Sequence, residues 1–443
     1  MSWQEEYRRK QVSAEEAVKV VKSGDRVVFA PGVESLALAL ALSARKEELE
    51  NVKLFLPGPG RELPWYEPGW EKSFVIETSF VLPVIEHMMA ERRCDYLVSS
   101  LWFTHSPVLR QIDVYMIELS PPDEHGYCSF GHMLWNKKIE AKEAKIVIAD
   151  INPNLVRTYG DNYIHVSELD YFVPHLSTGR IPGVRDLRST DLLARKTGDE
   201  PKEIRKIAEY VAELIRDGDT LQIGVGGISE AVMRLGLLDN KRDLGIHTET
   251  LPRGTVQLVQ RGVITGERKT IHKNKVVAIS VGGGTSDDMA FINNNPIFEL
   301  YDGTHVVNPM TIATHDNMVT VNSALSIDLT GQIAAESLGT RMYSGTGGQL
   351  AFAMGAYLSK GGRSATVLTS TARNGAVSRI VPALEPGTIV SVPRILTDYV
   401  VTEYGIAALQ GKTQRERARE LINIAHPDFR PELEVAADKL YWP

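Results

Sequence analysis

The sequence predicts an α/β protein made of two duplicated open halves with mostly parallel sheets, and three observations carry that prediction. The segment VVKSGDRVVFAPGVES (20–35) resembles LIRDGDTLQIGVGGIS (214–229), pairing Gly24 with Gly218, Asp25 with Asp219, Phe29 with Ile223, Gly32 with Gly226 and Ser35 with Ser229 at one constant spacing. Two further pairs follow in the same order, KIVIAD (145–150) with ATVLTS (365–370) and DYFV (170–173) with DYVV (398–401). Finally, strand-like runs alternate with helical ones, and each strand is nearly all apolar, the pattern of parallel sheets covered on both faces.

Each repeated unit justifies itself locally. A helix ends at a Gly-Asp turn, an apolar strand follows, and a glycine-containing turn opens the next helix. LALALAL (36–42) is far shorter than the roughly 20 residues that cross a bilayer and reads as a buried helix. Opposite LGIHTET (244–250) the first half carries VKLFLPGPG (52–60). The spacing between copies grows along the chain, as insertions in the second copy would produce. The halves join near 180–205 through TGRIPGVRDLRS and a charged helix, giving an N-terminal domain over 1–190 and a C-terminal domain over 191–443. In such folds ligands sit at the carboxyl ends of the strands, here in a cleft expected between the halves.

Composition narrows the function classes. At 443 residues and 43% hydrophobic content the chain has material for more than one core. A formal charge of −7 with no dense Lys/Arg run argues against nucleic acid or a membrane surface as partner. Two cysteines, Cys94 and Cys128, make no disulfide framework, and the charged start MSWQEEYRRK lacks the apolar core of a signal peptide, so a cytoplasmic location is expected.

LGIHTETLPRG (244–254) places one carboxylate, Glu249, between two threonines at the mouth of a strand. An exposed loop glutamate is the ordinary reading, but the matching turn of the first half has proline there instead. IGVGGIS (223–229) supplies Gly224, Val225, Gly226, Gly227 and Ile228, whose amides could approach a phosphate or an oxyanion. A dinucleotide fold is its rival, with Glu249 near the spacing of a ribose-binding acid, although Ser229 stands where a third glycine belongs. Gly345, Gly347 and Gly348 precede a helix starting near Gln349, so their amides could converge on a negative charge. His125, Cys128 and His132 have a superficial metal spacing without a fourth ligand, and a packed turn is the simpler reading. Neither a Walker A motif nor a G-x-S-x-G elbow occurs.

The segments SPPDEHGYCSFG, GDNYIHVSELDYFV, DGDTLQIGVGGI, LGIHTET, DNMVTVNSALSIDLTGQ, GTRMYSGTGGQLAF, SRIVP, DYVVTEYGIAALQGKT and ERARELINIAHPDFR together resemble the acetyl-CoA hydrolase/transferase family of CoA-transferases. The likeness spans nearly the whole chain and points toward its 4-hydroxybutyrate and butyrate:acetate CoA-transferases. It implies that Glu249 is the nucleophile and that Gly224–Ile228 and Gly345–Gln349 contact CoA or stabilise an oxyanion. Asn308, Asn322 and Arg341 match polar positions near the acyl group or CoA, and Lys360 and Arg363 are candidates for its phosphates. The implied reaction moves CoA between a short-chain acyl-CoA and a carboxylate through an acyl-glutamyl anhydride and a glutamyl-CoA thioester. Coenzyme A is then a substrate, no cofactor or metal is needed, and a homodimer is implied. Thr250-Leu251-Pro252-Arg253 departs from the Met and Ser-Asp that many relatives carry there, which leaves the acyl group open. An acyl-CoA hydrolase, a nicotinamide dehydrogenase and a noncatalytic ligand-binding regulator are the alternatives.

Overall fold

A computed structural model describes residues 2–31, 34–102, 111–177, 200–282 and 284–441. Two compact units emerge, Met1–Leu192 with Thr285–Thr304, and Leu193–Gly284 with His305–Pro443. Gly32 and the joining segment TGRIPGVRDLRS at 178–189 lie outside the described residues. Residues 285–304, which a single boundary near 190 assigns to the second half, pack with the first unit. The Asn294 N–H donates to the Arg157 carbonyl at 2.8 Å, strand Phe298–Leu300 pairs in parallel with Tyr159–Gly160, and the Gly303 N–H donates to the Trp135 carbonyl at 3.2 Å.

The first unit holds strands β1 (Arg26–Phe29), β2 (Val52–Phe55), β3 (Phe74–Thr78), β4 (Cys94–Tyr96), β5 (Val114–Leu119), β6 (Ile146–Ile151) and β7 (Tyr171–Pro174). They form one parallel sheet in the order β7-β6-β5-β1-β2-β3-β4. All four residues of β1 are buried, as continuous apolar strands of a doubly covered sheet require. The LALALAL run forms helix α1 (Leu36–Ser43), capped by the Ser35 hydroxyl and buried at every residue but one. Its lack of a polar face is why it is enclosed rather than amphipathic.

The second unit carries β8 (Thr220–Ile223), β9 (Gly245–Leu251), β10 (Val276–Val281), β11 (Met318–Ser323), β12 (Arg363–Val367), β13 (Tyr399–Thr402) and β14 (Gly405–Ala408). Their order is β14-β13-β12-β11-β8-β9-β10, parallel except for the final hairpin of β13 and β14. Removing the edge strands β4 and β14 leaves the same topology in both units, β7-β6-β5-β1-β2-β3 against β13-β12-β11-β8-β9-β10. The sequence pairs fall on equivalent strands, β1 with β8, β6 with β12 and β7 with β13. VKLFLPGPG and LGIHTET fall on β2 and β9, again equivalent.

Helices of the second unit include α2 (Lys202–Leu214), α3 (Thr255–Gln260), α4 (Pro309–Ala313) and α5 (Gln349–Leu358). In α2 the residues Ile204, Ile207, Ala208 and Val211 are buried at helical spacing. A Cβ on Gly355 of α5 would overlap the Ile312 side chain, so glycine lets α5 settle closely on α4. Among the described residues no helix is long and apolar enough to cross a membrane.

The segment bearing His125, Cys128 and His132 folds as a packed turn. The Asp123 carboxylate accepts the N–H groups of His125 and Tyr127 at 3.0 and 2.9 Å, and Tyr127–Ser129 pairs with Tyr163–His165. Cys128 is buried, which pushes its thiol up to about 12.

Candidate active site

In the second unit the strand order reverses between β8 and β11, and in open α/β sheets that switch point opens a crevice at the carboxyl edge. The turn after β8 stands there. Gly224 is required by contact rather than by torsion, because a Cβ would meet Asn322 Oδ1 at 2.7 Å and the Val321 carbonyl at 3.2 Å. Gly226 has φ +142°, a conformation natural to glycine. Ser229, at the start of the following turn, donates its hydroxyl to the Gly224 carbonyl at 2.6 Å and so ties the loop closed. The Gly224 N–H already donates to the Val321 carbonyl at 2.7 Å, which removes it from the expected set of free amides. Among the described residues the N–H groups of Val225, Gly226, Gly227 and Ile228 meet no protein acceptor. Val225 is 37% exposed, so this run of amides is open to an outside acceptor.

Glu249 lies near the end of β9, partly exposed between buried Thr248 and Thr250. Burial pushes its carboxyl up to about 7, opposed by a hydrogen bond from the Gly348 N–H. Gly348 is the N-cap of α5, and a Cβ there would overlap Glu249 Oε2 and stand 3.1 Å from the Phe352 ring. The third residue type in this loop, Gly347, has φ +54°. Gly345 is buried, and its carbonyl accepts the Ser344 hydroxyl at 3.0 Å. Thr346 is anchored by Glu336 Oε2 at 3.0 Å, so the glycine loop is held from both sides. The Gln349 amide nitrogen is buried without a protein partner among the described residues.

The remaining expected residues divide. Asn322, at the end of β11, forms a reciprocal amide pair with Gln222 at 2.9 Å in each direction and borders Gly224. Asn308 is a helix cap, its side chain accepting the Met310 N–H at 3.0 Å. Arg341 is exposed, with its guanidinium 4.9 Å from the centroid of the Tyr343 ring. Lys360 and Arg363 do not join the carboxyl edge. Helix α5 runs from Gly348 at that edge back to the opposite one, about 1.5 Å per residue, so Lys360 follows its far end and Arg363 begins β12. Arg363 is buried in an ion pair with Asp219, 2.5 Å away, and serves packing.

Three groups at this edge escaped sequence reasoning. Gln222 holds Asn322, as above. Glu230, directly after the IGVGGIS turn, is buried and pushed up to about 7 by that burial, against the pull of Arg253 and Arg234. Glu403, after β13, accepts the Ser370 N–H at 2.9 Å and its hydroxyl at 2.5 Å. A carboxylate just past a strand was the available signal for each acid, and it is too common in loops to stand out alone.

A carboxylate under a helix N-terminus, beside glycine turns with free amides, sets one acidic group among backbone donors suited to a developing negative charge. Residues 1–178 match the acetyl-CoA hydrolase/transferase N-terminal domain, and residues 284–437 match its C-terminal domain. The chain belongs to the acetyl-CoA hydrolase/transferase family. It is 42% identical to the 4-hydroxybutyrate coenzyme A transferase of Clostridium kluyveri over 98% of both chains. Among solved structures, RipA from Yersinia pestis superposes with a TM-score of 0.87 at 33% identity, covering 100% of both chains. The 4-hydroxybutyrate CoA-transferase of Porphyromonas gingivalis gives 0.77 at 34% identity, covering 99% of this chain and 100% of that one.

Proposed function

We propose that this protein is a CoA-transferase that exchanges CoA between short-chain acyl-CoA and carboxylate, with butyrate or 4-hydroxybutyrate and acetyl-CoA as the substrate set and Glu249 as nucleophile. The observation that carries the reading is the Glu249 carboxylate held by the Gly348 N–H at the start of α5. A carboxylate is a weak nucleophile but a thioester has a good leaving group, so covalent catalysis divides the exchange into accessible steps.

Glu249 attacks the acyl carbonyl carbon, the C–S bond breaks, and CoA leaves as thiolate from an acyl-glutamyl anhydride. The thiolate then attacks the glutamyl carbonyl, the C–O bond to the acyl group breaks, and the first carboxylate departs. The resulting glutamyl-CoA thioester meets the second carboxylate, and the same steps run in reverse. Each addition puts negative charge on a carbonyl oxygen, for which the amides of Val225–Ile228 and of Gly345 and Gly347 are suitable donors. In this reading coenzyme A is a substrate, no metal or redox cofactor takes part, and family likeness suggests a cytoplasmic homodimer.

The test is direct. Incubation with acyl-CoA and no acceptor should leave CoA, less one water, on the peptide carrying residues 244–253, read by mass spectrometry. An adduct confined to Cys94 or Cys128 refutes the nucleophile.

A further inference from the structure

Beneath Glu249, two residues back on the same face of β9, His247 is fully buried. Its Nε2–H donates to the Val306 carbonyl at 2.8 Å, and among the described residues its Nδ1 has no protein partner. The His315 ring lies 4.6 Å from it, also fully buried, with neither ring nitrogen partnered among the described residues. Strand register brings two more such atoms to this face. Thr220 stands beside Gly245 and Met318, Thr320 beside Gln222, and the hydroxyls of both threonines are buried and unpartnered. Phe352 of α5 covers the group, its ring 6.5 Å from that of His247.

Five unpartnered polar atoms buried on one face of the sheet are a heavy liability, and protein interiors resolve such groups with ordered water. The donor set suits water. Burial pushes His315 down to about 3, with Lys269, His272 and His305 acting in the same direction, and it lowers His247 as well. Each ring is therefore neutral, one nitrogen donating and the other accepting, and each threonine hydroxyl does both. A metal ion is a poor fit, because the Lys269 ammonium, bonded to the Ile246 and Lys275 carbonyls at 2.8 and 2.9 Å, already places positive charge here.

We propose that His247, His315, Thr220 and Thr320 hold a cluster of ordered waters inside the second unit, and that this internal hydration eases ionisation of Glu249. Water dipoles one step below the carboxylate offset part of its desolvation, which no cation among the described residues does. The groups around the cluster that carry or change charge are Lys269, His272, His305 and Glu249 itself.

A high-resolution crystal structure of the unliganded wild-type protein tests the site. Water oxygens are expected within about 2.7–3.2 Å of a His315 ring nitrogen, His247 Nδ1 and at least one threonine hydroxyl. A dry patch, or side chains rearranged into direct protein hydrogen bonds, overturns the proposal. The second half is tested in His315→Phe with glutamate labelled at its carboxyl carbon, the Glu249 resonance being assigned by its loss in Glu249→Gln. Its titration midpoint should shift to higher pH than in wild type. An unchanged midpoint in a folded, dehydrated variant overturns the link to Glu249. Neither measurement uses turnover, so the outcome is separate from that of the exchange reaction.

Discussion

At the scale of single residues, Glu249 shows what it costs to hold a carboxyl in a buried setting. Its carboxyl is raised by burial from 4.5 to about 7. Between those values the folded protein holds a proton that the unfolded chain has lost, so stability contributed by this group declines as pH rises through the window. Glu249→Gln should therefore be more stable than wild type at pH 8, on the order of 1–3 kcal/mol, and equal to it near pH 4. Denaturant unfolding at the two pH values measures this, and an equal difference at both would contradict it. In the proposed exchange the same ionisation governs attack by Glu249, so kcat/KM should rise with pH through about 7 in wild type. Gly348→Ala supplies a third case. Gly348 has φ −96° and ψ −5°, which alanine adopts without strain, but the added methyl would displace Glu249. Exchange should fall by about 100-fold or more, with a drop in melting temperature from the 3.1 Å approach to the buried Phe352 ring.

At the scale of elements, helix α5 links packing to chemistry. Its first turn presents the Gly348 N–H to Glu249, and its middle rests on α4 through Gly355. In an exposed helix Gly→Ala gains about 1 kcal/mol of propensity. Here the new Cβ meets Ile312 and stands 3.3 Å from the Pro309 carbonyl, and overpacking of that kind costs about 1–3 kcal/mol. Gly355→Ala should lower the melting temperature and, by shifting α5, reduce exchange, which thermal unfolding and a rate assay on one sample would show. Elements were also where the sequence was most legible. The repeated Gly-Asp turn, strand and glycine turn located β1 and β8, and the later pairs located β6 with β12 and β7 with β13, because apolar strands and the turns that end them are local signals. Asn308 was opaque for the same reason: a cap and a ligand contact call for the same side chain.

At the scale of the whole molecule, the proposed transfer and a hydrolysis share the acyl-glutamyl anhydride and differ in whether CoA thiolate and then a carboxylate complete the exchange before water intervenes. With acetate present, label from butyryl-CoA should appear in acetyl-CoA with ping-pong kinetics while net thioester loss stays slow; loss that matches acetyl-CoA formation across several acceptors would make the protein a hydrolase. The sequence by itself determined the α/β class, the duplication, the family and the position of Glu249, since each is written in patterns spanning a few to a few dozen residues. Only the tertiary structure decided which residues share an edge of the sheet. A helix carries the chain from one edge to the other, so Lys360, close to Gly348 in sequence, is remote from Glu249, while Gln222 and Asn322, 100 residues apart, are bonded. It also decided which amides are free and how acidic Glu249 is: Gly224 lost its N–H to β11, and burial raises the Glu249 carboxyl against a hydrogen bond from Gly348 of α5. Burial and hydrogen bonding are properties of neighbours in space, and chain order names only neighbours in sequence.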